Sequence, residues 1–301
     1  MLSSRKVLIF LNPLASKRRQ LLLNTLIHEL DARGISYTYF ETFPDVAKTI
    51  DAISASVVDC SEIVVLGGDG TLHQAVNALI GFRLPIGYIP CGTGNDFARG
   101  WFANLQLSAV EWVQQALDAA TEVIDVGQAG SRYFINVAGV GFDGELVKRM
   151  GNKKFIWPKF SYLLAALRAI SGYQARSFAL AGSNAKVMAL AQRPGFLLAL
   201  ANNQYFGAGM HIAPHAKVDD GTLAYCFIEK CSWLSRFKIL NRVGKGAHAS
   251  HPKVHCGQLH AVQIKTPNLP VQADGEYIGD TPMIVRTIPA AIQLRRARRV
   301  N

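Results

Sequence analysis

The stretch LGGDGTLHQAVNAL, residues 66–79, constrains the fold more strongly than any other part of the chain. It follows residues 61–66, a short β-branched run that is typical of a strand buried on both faces in a parallel sheet. After the turn, apolar residues recur at helical spacing at Leu72, Ala75, Val76 and Leu79. We therefore predict a strand, a tight turn and a helix in succession, which is the repeating unit of an α/β fold.

The turn between this strand and helix carries three glycines and an acid. Gly67, Gly68 and Gly70 can adopt dihedral angles closed to other residues, which lets backbone amides approach a ligand closely. Free amides at the start of a helix favour an anion such as phosphate. The Asp69 carboxylate fits such a site if a magnesium ion accompanies the phosphates. A plain turn with an Asp or Thr cap explains the same residues, and this motif alone leaves both interpretations open.

Strands and helices alternate through the first 126 residues. We predict strands at 7–11, 35–40, 63–66 and 85–89, and helices at 18–32, 46–58, 72–79 and 109–119. This alternation predicts right-handed crossovers and a doubly wound parallel sheet, which binds ligands beyond the carboxyl ends of its strands. Three polar turns stand at such ends: Asn12–Pro13, Gly67–Thr71 and Pro90–Asp96. The first domain is predicted to span 1–126, with the C-terminal residues 290–301 as a candidate addition.

From about residue 127 onward, the sequence pattern is typical of short β-strands. Strands are predicted at 178–190, 195–201, 221–228, 258–265 and 282–288, separated by Gly, Pro, Asn and Asp, as in an antiparallel sheet or sandwich. Two segments interrupt this pattern, the amphipathic helix candidate WPKFSYLLAALRAISGY and SWLSRFKILNRV. We predict a second domain over 127–289 that is an antiparallel β-sandwich.

The composition is that of a folded protein with a strong positive charge. Half of the 301 residues are hydrophobic, and the formal net charge is +11. Such a charge favours an anionic partner: nucleotide phosphate, an anionic lipid surface or a nucleic acid. The five cysteines include no Cys-x-x-Cys pair, which argues against a zinc ribbon or disulfide scaffold and indicates a reduced cytosol. No stretch reaches the roughly 18 uninterrupted apolar residues of a membrane span.

A second glycine turn, IPCGTGNDFARG at residues 89–100, again follows a predicted strand and contains an acid. Together with NPLAS, GGDGT, FINVAGVGFDGEL, NNQYFGAGMHIAPHAKVDDGTL and VQADGE, it resembles the diacylglycerol kinase catalytic-domain family. That family includes bacterial soluble lipid kinases and, more distantly, sphingosine and ceramide kinases. The matches run in order over nearly the whole chain, and they imply an α/β domain like those of NAD and diacylglycerol kinases, followed by a β-sandwich.

The resemblance implies an ATP-dependent kinase that phosphorylates a lipid hydroxyl. The family's ATP-contacting positions fall on Asn12, Thr42, Gly67, Gly68, Asp69, Gly70, Thr71, Leu72, His73 and Thr93. Asp69, Asp96 and Asp125 match acids that handle magnesium-ATP, and Lys17 matches the lysine of the same network. Glu276 matches the family's general base.

A second, structural magnesium site is also implied by the resemblance. It falls on Lys217 and Thr222, through their carbonyls, and on Asp220, through its carboxylate. Magnesium prefers oxygen ligands, and phosphoryl transfer depends on positioning and charge stabilisation, so these residue types suit both sites.

For some of these residues, a purely structural role explains the sequence as well as a functional role does. Glu276 follows Asp-Gly, a hairpin dipeptide, and on sequence alone is more typical of a solvent-facing strand position. Asp125 lies in a run typical of a strand, and on sequence alone it is interpreted as an exposed residue at the edge of a sheet. Ser16 stands where the family often has glycine, and Lys17, Arg18 and Arg19 follow it. These cations either offset the missing glycine or begin a solvated helix, and we favour the second interpretation for Arg18 and Arg19.

Three further features remain open. The group His248, His251, His255, His260 and Cys256 matches no standard zinc-finger spacing, and ordinary polar loop positions are the favoured interpretation. The helix predicted around 162–170 is either core or a membrane-facing element, flanked by Lys153, Lys154, Lys159, Arg168 and Arg176. The basic end LRRARR, residues 294–299, suits anionic headgroups, RNA or a solubilising tail.

We predict a cytoplasmic lipid kinase, peripheral to the inner face of the membrane, that uses ATP and Mg²⁺ and binds anionic lipid headgroups. The lipid hydroxyl is expected to enter between the domains beside Glu276. An NAD kinase shares the GGDGT turn, but its Gly-Ser-Thr-Ala-Tyr element is absent here. A catalytically weak lipid- or nucleotide-binding regulator is a second alternative, and no recognisable motif supports a nucleic-acid-binding protein. The oligomeric state is left open, with a homodimer among the options.

Overall fold

The computed structural model describes residues 5–13, 16–43, 46–102, 105–151, 172–182 and 184–296. The chain divides into two compact units, one formed by residues 1–126 together with residues from 289 onward, and the other by residues 127–288. Within the described residues, no helix combines the length and the apolar character needed to cross a membrane.

The first unit alternates strands and helices. Its elements are β1 (Lys6–Leu11), α1 (Lys17–Ala32), β2 (Ser36–Glu41), α2 (Val46–Ser56), β3 (Glu62–Gly67), α3 (Asp69–Leu79), β4 (Pro85–Pro90), α4 (Asp96–Trp101) and α5 (Ala109–Asp118), followed by β5 (Thr121–Ala129), which runs into the second unit. The strands pair in parallel in the order β2-β1-β3-β4. Every residue of β3 is buried, as expected for a strand covered by helices on both faces.

The second unit is built mainly from antiparallel strands. Its elements are β6 (Arg132–Phe134), β7 (Val137–Gly141), α6 (Phe142–Met150), β8 (Arg176–Ser177), β9 (Leu180–Ala181), α7 (Ala185–Met188), β10 (Pro194–Ala201), β11 (Tyr205–Phe206), β12 (Met210–His211), β13 (Leu223–Glu229), α8 (Trp233–Val243), a 3-10 turn (His248–Ser250), β14 (Val254–Leu259), β15 (Ala261–Ile264), β16 (Pro270–Ala273) and β17 (Glu276–Asp280), and then β18 (Met283–Arg295). The main sheet has the order β14-β13-β10-β7-β16-β17.

Both faces of this main sheet are covered. Leu198 and Leu200 of β10 pack in one apolar cluster, and Leu197 and Ala199 pack in another. Because successive residues of a strand point to opposite faces, the two clusters lie on opposite sides of the sheet. The first cluster also contains Val262 and Val285 from the antiparallel pair β15 and β18, which makes the unit a sandwich. The predicted fold class, an α/β domain followed by an antiparallel β domain, is confirmed.

The predicted strand at 178–190 is wrong over most of its length. Within the described part of this range, the strand residues are Leu180–Ala181, which pair with β15, and Ala185–Met188 form a helical turn. The Asn184 side chain accepts the Val187 amide at 3.1 Å, so an N-cap starts this turn where the apolar pattern predicted a strand. The predicted strand at 258–265 is divided between β14 and β15, which pair with different strands.

Candidate active site

Three loops of the first unit leave the carboxyl ends of adjacent parallel strands. β3 lies between β1 and β4, with Leu11 opposite Leu66 and Gly67 opposite Pro90. The amide of Cys91 donates to the Gly67 carbonyl at 2.9 Å, so the pairing continues into the loops. The three polar turns therefore stand side by side at the edge where an α/β sheet binds ligands.

The two glycine turns touch backbone to backbone. A Cβ atom built on Gly68 would lie 2.9 Å from the Cα of Gly92, and one built on Gly92 would lie 2.5 Å from the Cα of Gly68. Neither contact leaves room for a side chain. None of Gly67, Gly68 and Gly70 has a positive φ, so this turn does not use the left-handed conformations that glycine makes accessible. Close approach is what requires glycine at 68 and 92.

Asp69 ties the second turn to the first. It is the first residue of α3, and its Oδ1 accepts the amide of Phe97 in α4 at 3.0 Å. Asp96, the first residue of α4, is buried. Burial raises the pKa of the neighbouring Tyr88 hydroxyl, and the charges of Asp69 and Asp96 raise it further. The carboxylates of Asp69 and Asp96 thus both lie near the buried hydroxyl of Tyr88. Each carboxylate is in the first turn of its helix, where the helix dipole favours a negative charge.

A non-glycine residue holds the second turn in the left-handed region. Asn95 has a φ of 51°, and its side chain exchanges two hydrogen bonds of 2.9 Å with the backbone of Gly92. The exchange closes the turn on itself and compensates the backbone cost of a positive φ. Thr93, between them, is exposed at the tip.

The first loop is closed by the start of α1. Ser16 is the N-cap of α1 and accepts the Arg19 amide at 3.2 Å. The Arg19 guanidinium donates to the Asn12 carbonyl. Burial raises the pKa of the Cys91 thiol, and the charges of Arg19 and Arg18 oppose that shift, so both cations lie close to the second glycine turn. Arg19 lies in the first turn of α1 and is half-buried, with its guanidinium bound to the Asn12 carbonyl.

In the second unit, Glu276 follows a rigid turn. It begins β17, is half-buried, and comes after Asp274 and Gly275, both of which have positive φ. The Asp274 carboxylate accepts three backbone amides, from Ile135 at 2.8 Å, Asn136 at 2.9 Å and Val137 at 3.1 Å. The turn that presents Glu276 is thereby fastened to the chain that enters β7.

Two family models match the chain. Residues 6–129 match the diacylglycerol kinase catalytic domain, and residues 136–296 match the YegS C-terminal NAD kinase beta sandwich-like domain. A diacylglycerol kinase of Mycobacterium tuberculosis (strain ATCC 25618 / H37Rv) is 30% identical over 245 residues, which cover 78% of this chain and 77% of that protein. This chain belongs to the diacylglycerol kinase catalytic-domain family.

Other family members match over more of the chain. A diacylglycerol kinase of Staphylococcus carnosus (strain TM300) is 28% identical over 295 residues, covering 92% of this chain and 90% of that protein. Among solved structures, a diacylglycerol kinase from Bacillus anthracis str. Sterne superposes with a TM-score of 0.71 at 21% identity, covering 97% of this chain and 96% of that chain. At that identity the structural match shows the shared fold.

Several family-matched residues of the first unit have buried side chains. Leu72 and His73 are at most 1% exposed, and the Asn77 side chain donates to the His73 carbonyl at 2.9 Å. Thr71 packs where a Cβ of Gly67 would be, and the buried Thr42 donates its amide to Leu11 at 2.9 Å. At these positions the backbone is the part that a nucleotide could reach, and their role in ATP binding stays a prediction.

Asp125 contacts the strand β18 through its carboxylate. It is buried in β5, and its Oδ1 accepts the amide of Ala290 in β18 at 2.8 Å. Lys17 is exposed at the first position of α1. The structure brings Asp69 and Asp96 together, and the catalytic roles of all four residues with Glu276 remain predictions.

Sequence reasoning missed Asp143 and Gln272 in the second unit. Asp143, in α6, accepts the Gly144 amide at 2.9 Å and the Gln272 side chain at 3.0 Å. Gln272 in turn accepts the Gly275 amide at 2.7 Å, so a chain of hydrogen bonds ends at the turn before Glu276. Burial raises the pKa of Asp143 to about 6. The available signal was a single polar residue in each of two otherwise apolar runs, VGFDG and PVQA.

The residues matched to a structural magnesium site form a small polar turn. Asp220 Oδ1 accepts the amide and the hydroxyl of Thr222 at 3.0 and 2.7 Å, and Oδ2 accepts the Gln258 side chain at 3.0 Å. Lys217 is exposed on the same loop. Asp220 and Thr222 thus meet, with Gln258 as a partner that sequence reasoning omitted, while magnesium binding stays a prediction.

The two membrane-related segments lie largely outside the described residues. These include Lys153, Lys154, Lys159, Arg168, the helix predicted around 162–170, and residues 297–299 of the basic end. Arg176 is described, and its guanidinium donates to the carbonyls of Asn268 at 2.7 Å and Pro267 at 3.0 Å. That cation therefore joins β8 to the loop between β15 and β16.

Proposed function

We propose that this protein is an ATP- and Mg²⁺-dependent lipid kinase that transfers the γ-phosphate to a hydroxyl of diacylglycerol or a related lipid. Family membership supports the kinase class. The observation that carries the proposal is Asp69, which joins the start of α3 to the amide of Phe97 in α4. A carboxylate at the meeting point of two amide-rich turns suits a magnesium-nucleotide better than it suits bare phosphate.

The donor chemistry of the first unit fits magnesium. Asp69, Asp96 and Asp125 provide carboxylate oxygens, the hard ligands that this ion prefers, and they would hold it directly or through water. When bound, Mg²⁺ would neutralise charge on the phosphates. The amides of Gly67 to His73 and of Thr93 would hold the phosphate groups, and Lys17 would add a positive charge beside them.

Glu276 is proposed as the general base for the lipid. Its carboxylate takes the proton of the attacking hydroxyl as the new oxygen–phosphorus bond forms and the bond from the γ-phosphorus to the bridging oxygen breaks, which releases ADP. The three hydrogen bonds that the Asp274 carboxylate accepts keep the turn before Glu276 in place, because all three must break before the turn can shift. Asp220, with Thr222 and Lys217, is proposed to bind a second, structural magnesium ion.

A positively charged protein is suited to bind an anionic membrane surface, where a lipid substrate is located. The net charge of +11 supports binding to anionic lipid headgroups, so we propose that the enzyme acts at the cytoplasmic face of a membrane as a peripheral protein.

The proposal is tested by transfer of labelled γ-phosphate from ATP with Mg²⁺. The acceptors are dioleoylglycerol, phosphatidylglycerol and a sphingoid base in mixed micelles, with NAD as a separate acceptor. We expect a labelled lipid with the parent and a loss of about 100-fold or more in kcat for Asp69→Asn and Glu276→Gln. The exposed Asp59→Asn is the matched control and should retain activity. Label on NAD would indicate an NAD kinase, and no transfer by the folded parent would favour a regulatory protein.

A further inference from the structure

Two cysteines from adjacent strands of the second unit lie directly opposite each other. Cys226 of β13 pairs with Cys256 of β14 in the antiparallel register, so both side chains project from the same face of the sheet. His248, in the 3-10 turn His248–Ser250 just before β14, lies against this pair. The three possible ligand atoms, two sulfurs and one ring nitrogen, all lie within 4.8 Å of one another.

The histidine is oriented so that one ring nitrogen is unused. His248 is fully buried, and its Nε2 lies 2.9 Å from the Ile212 carbonyl oxygen. A carbonyl can only accept, so Nε2 carries the hydrogen and Nδ1 has a free lone pair. The buried Nδ1 makes no hydrogen bond of standard geometry among the described residues, and the ring interacts with the Cys256 thiol. An unsatisfied buried acceptor is costly, and a bound cation would remove that cost.

The same arrangement is typical of histidines that bind metals. A metal-ligating histidine usually donates its other ring N–H to a carbonyl or carboxylate, which fixes the ring and the tautomer. Ile212 supplies such a carbonyl.

We propose that Cys226, Cys256 and His248 bind a transition-metal ion of the zinc class. Two sulfurs and one imidazole favour a borderline or soft ion over magnesium, which requires oxygen ligands. In a tetrahedral zinc site the ligand atoms are about 3.5 to 3.8 Å apart, so small side-chain rotations bring this group into range. Cys226 is buried and Cys256 is exposed, which gives the ion an entry path and leaves a fourth position for water.

The other histidines near this group have different contacts. His255 Nε2 lies 3.0 Å from the Glu229 carboxylate, His251 accepts the Lys253 amide at 3.1 Å, and His260 lies 2.9 Å from the Gly221 carbonyl. Their roles agree with the interpretation as ordinary polar positions. Of the four histidines, His248 is the one that the fold places beside the thiols of Cys226 and Cys256. Cys226 lies 30 positions before Cys256 in the sequence, so only the pairing of β13 with β14 puts the two thiols together.

The test uses the full chain, stripped of metal with a chelator and then titrated with Co²⁺ and Zn²⁺. We expect one ion per chain and a thiolate-to-cobalt charge-transfer band in the near ultraviolet, displaced by Zn²⁺. Cys256→Ser and His248→Asn should weaken Zn²⁺ binding by about tenfold or more. Cys231→Ser and His251→Asn are matched controls, a thiol and an imidazole of the same unit, and should bind as the parent does.

Circular dichroism of each variant establishes that it is folded. The proposal is overturned if the folded parent shows no charge-transfer band, or if both ligand variants bind like their controls. It is also overturned if intact mass and thiol counting show that the untreated protein holds a Cys226–Cys256 disulfide and no metal. Because the readout is binding, it does not depend on whether the protein phosphorylates a lipid.

Discussion

Asp143 and Asp274 are two acids of one unit with opposite environments. The Asp274 carboxylate accepts three backbone amides. Asp143 is buried with two neutral donors, the Gly144 amide and the Gln272 side chain, and desolvation dominates, so its pKa rises to about 6. In the sequence both are simply acids next to a glycine. Their environments differ because the fold buries Asp143 and leaves Asp274 half-buried.

The raised pKa of Asp143 predicts a pH-dependent stability. In the unfolded chain its pKa is about 3.9, so between about pH 4 and 6 the folded state holds a proton that the unfolded state has released. This contribution is present at low pH and is lost as the pH rises, by up to about 3 kcal/mol. Asp143→Asn removes the titration, so its unfolding free energy should improve relative to the parent by that amount from pH 4 to 7.

Urea denaturation at a series of pH values measures this difference. The exposed Asp219→Asn is the control, and its stability should follow that of the parent across the range. Parallel curves for the parent and Asp143→Asn would show that burial does not shift this carboxyl group.

At the scale of elements, the candidate site depends on two loops that pack through their backbones. The sequence correctly predicted glycine-rich turns after β3 and β4, because a strand, a turn and a helix each have a local pattern. It explained the glycines of the first turn by the dihedral angles that glycine can adopt. The structure shows instead that Gly68 and Gly92 allow two chain segments to touch, a contact between positions 24 residues apart.

Substitutions at these glycines should therefore differ by position. In Gly92→Ala the new methyl group would lie 2.5 Å from the Cα of Gly68, so the loops must separate and the unfolding free energy should fall by about 1–3 kcal/mol. In Gly70→Ala the methyl group meets no atom within 4 Å, and alanine in a helix is favoured by up to about 1 kcal/mol. Thermal and urea unfolding compare the two variants. Equal losses at both positions would contradict the packing argument.

At the scale of the whole chain, the last strand returns to the first unit. β18 pairs with β15 through Ala261 and Arg286, and its end pairs in parallel with β4 through Leu294 and Ile86. Arg295 then donates to the buried Glu62 of β3 at 2.8 Å and to the Ala119 carbonyl at 3.1 Å. The sheet of the first unit thus includes residues from both ends of the sequence.

Arg295→Ala should destabilise the first unit more than removal of a surface arginine. Glu62 is buried and would keep only Arg5 as a cation partner among the described residues, so we expect a loss of about 2 kcal/mol. Arg33→Ala removes contacts with the more exposed Glu29 and Asp118 and should cost about 1 kcal/mol or less. Urea unfolding of both variants checks the order, and a larger loss for Arg33→Ala would refute it.

The sequence by itself determined the α/β and antiparallel β classes, the turns that end β1, β3 and β4, and the family. These features are readable because each is set by neighbouring residues: apolar period, turn glycines and short ordered motifs. The tertiary structure decided which distant residues come into contact. Gly68 packs against Gly92, and Glu62 forms an ion pair with Arg295. Asp143 accepts a hydrogen bond from Gln272, and His248 lies beside Cys226 and Cys256. Each of these contacts joins side chains or backbones far apart in the sequence, and only the packing of the folded chain determines such distances.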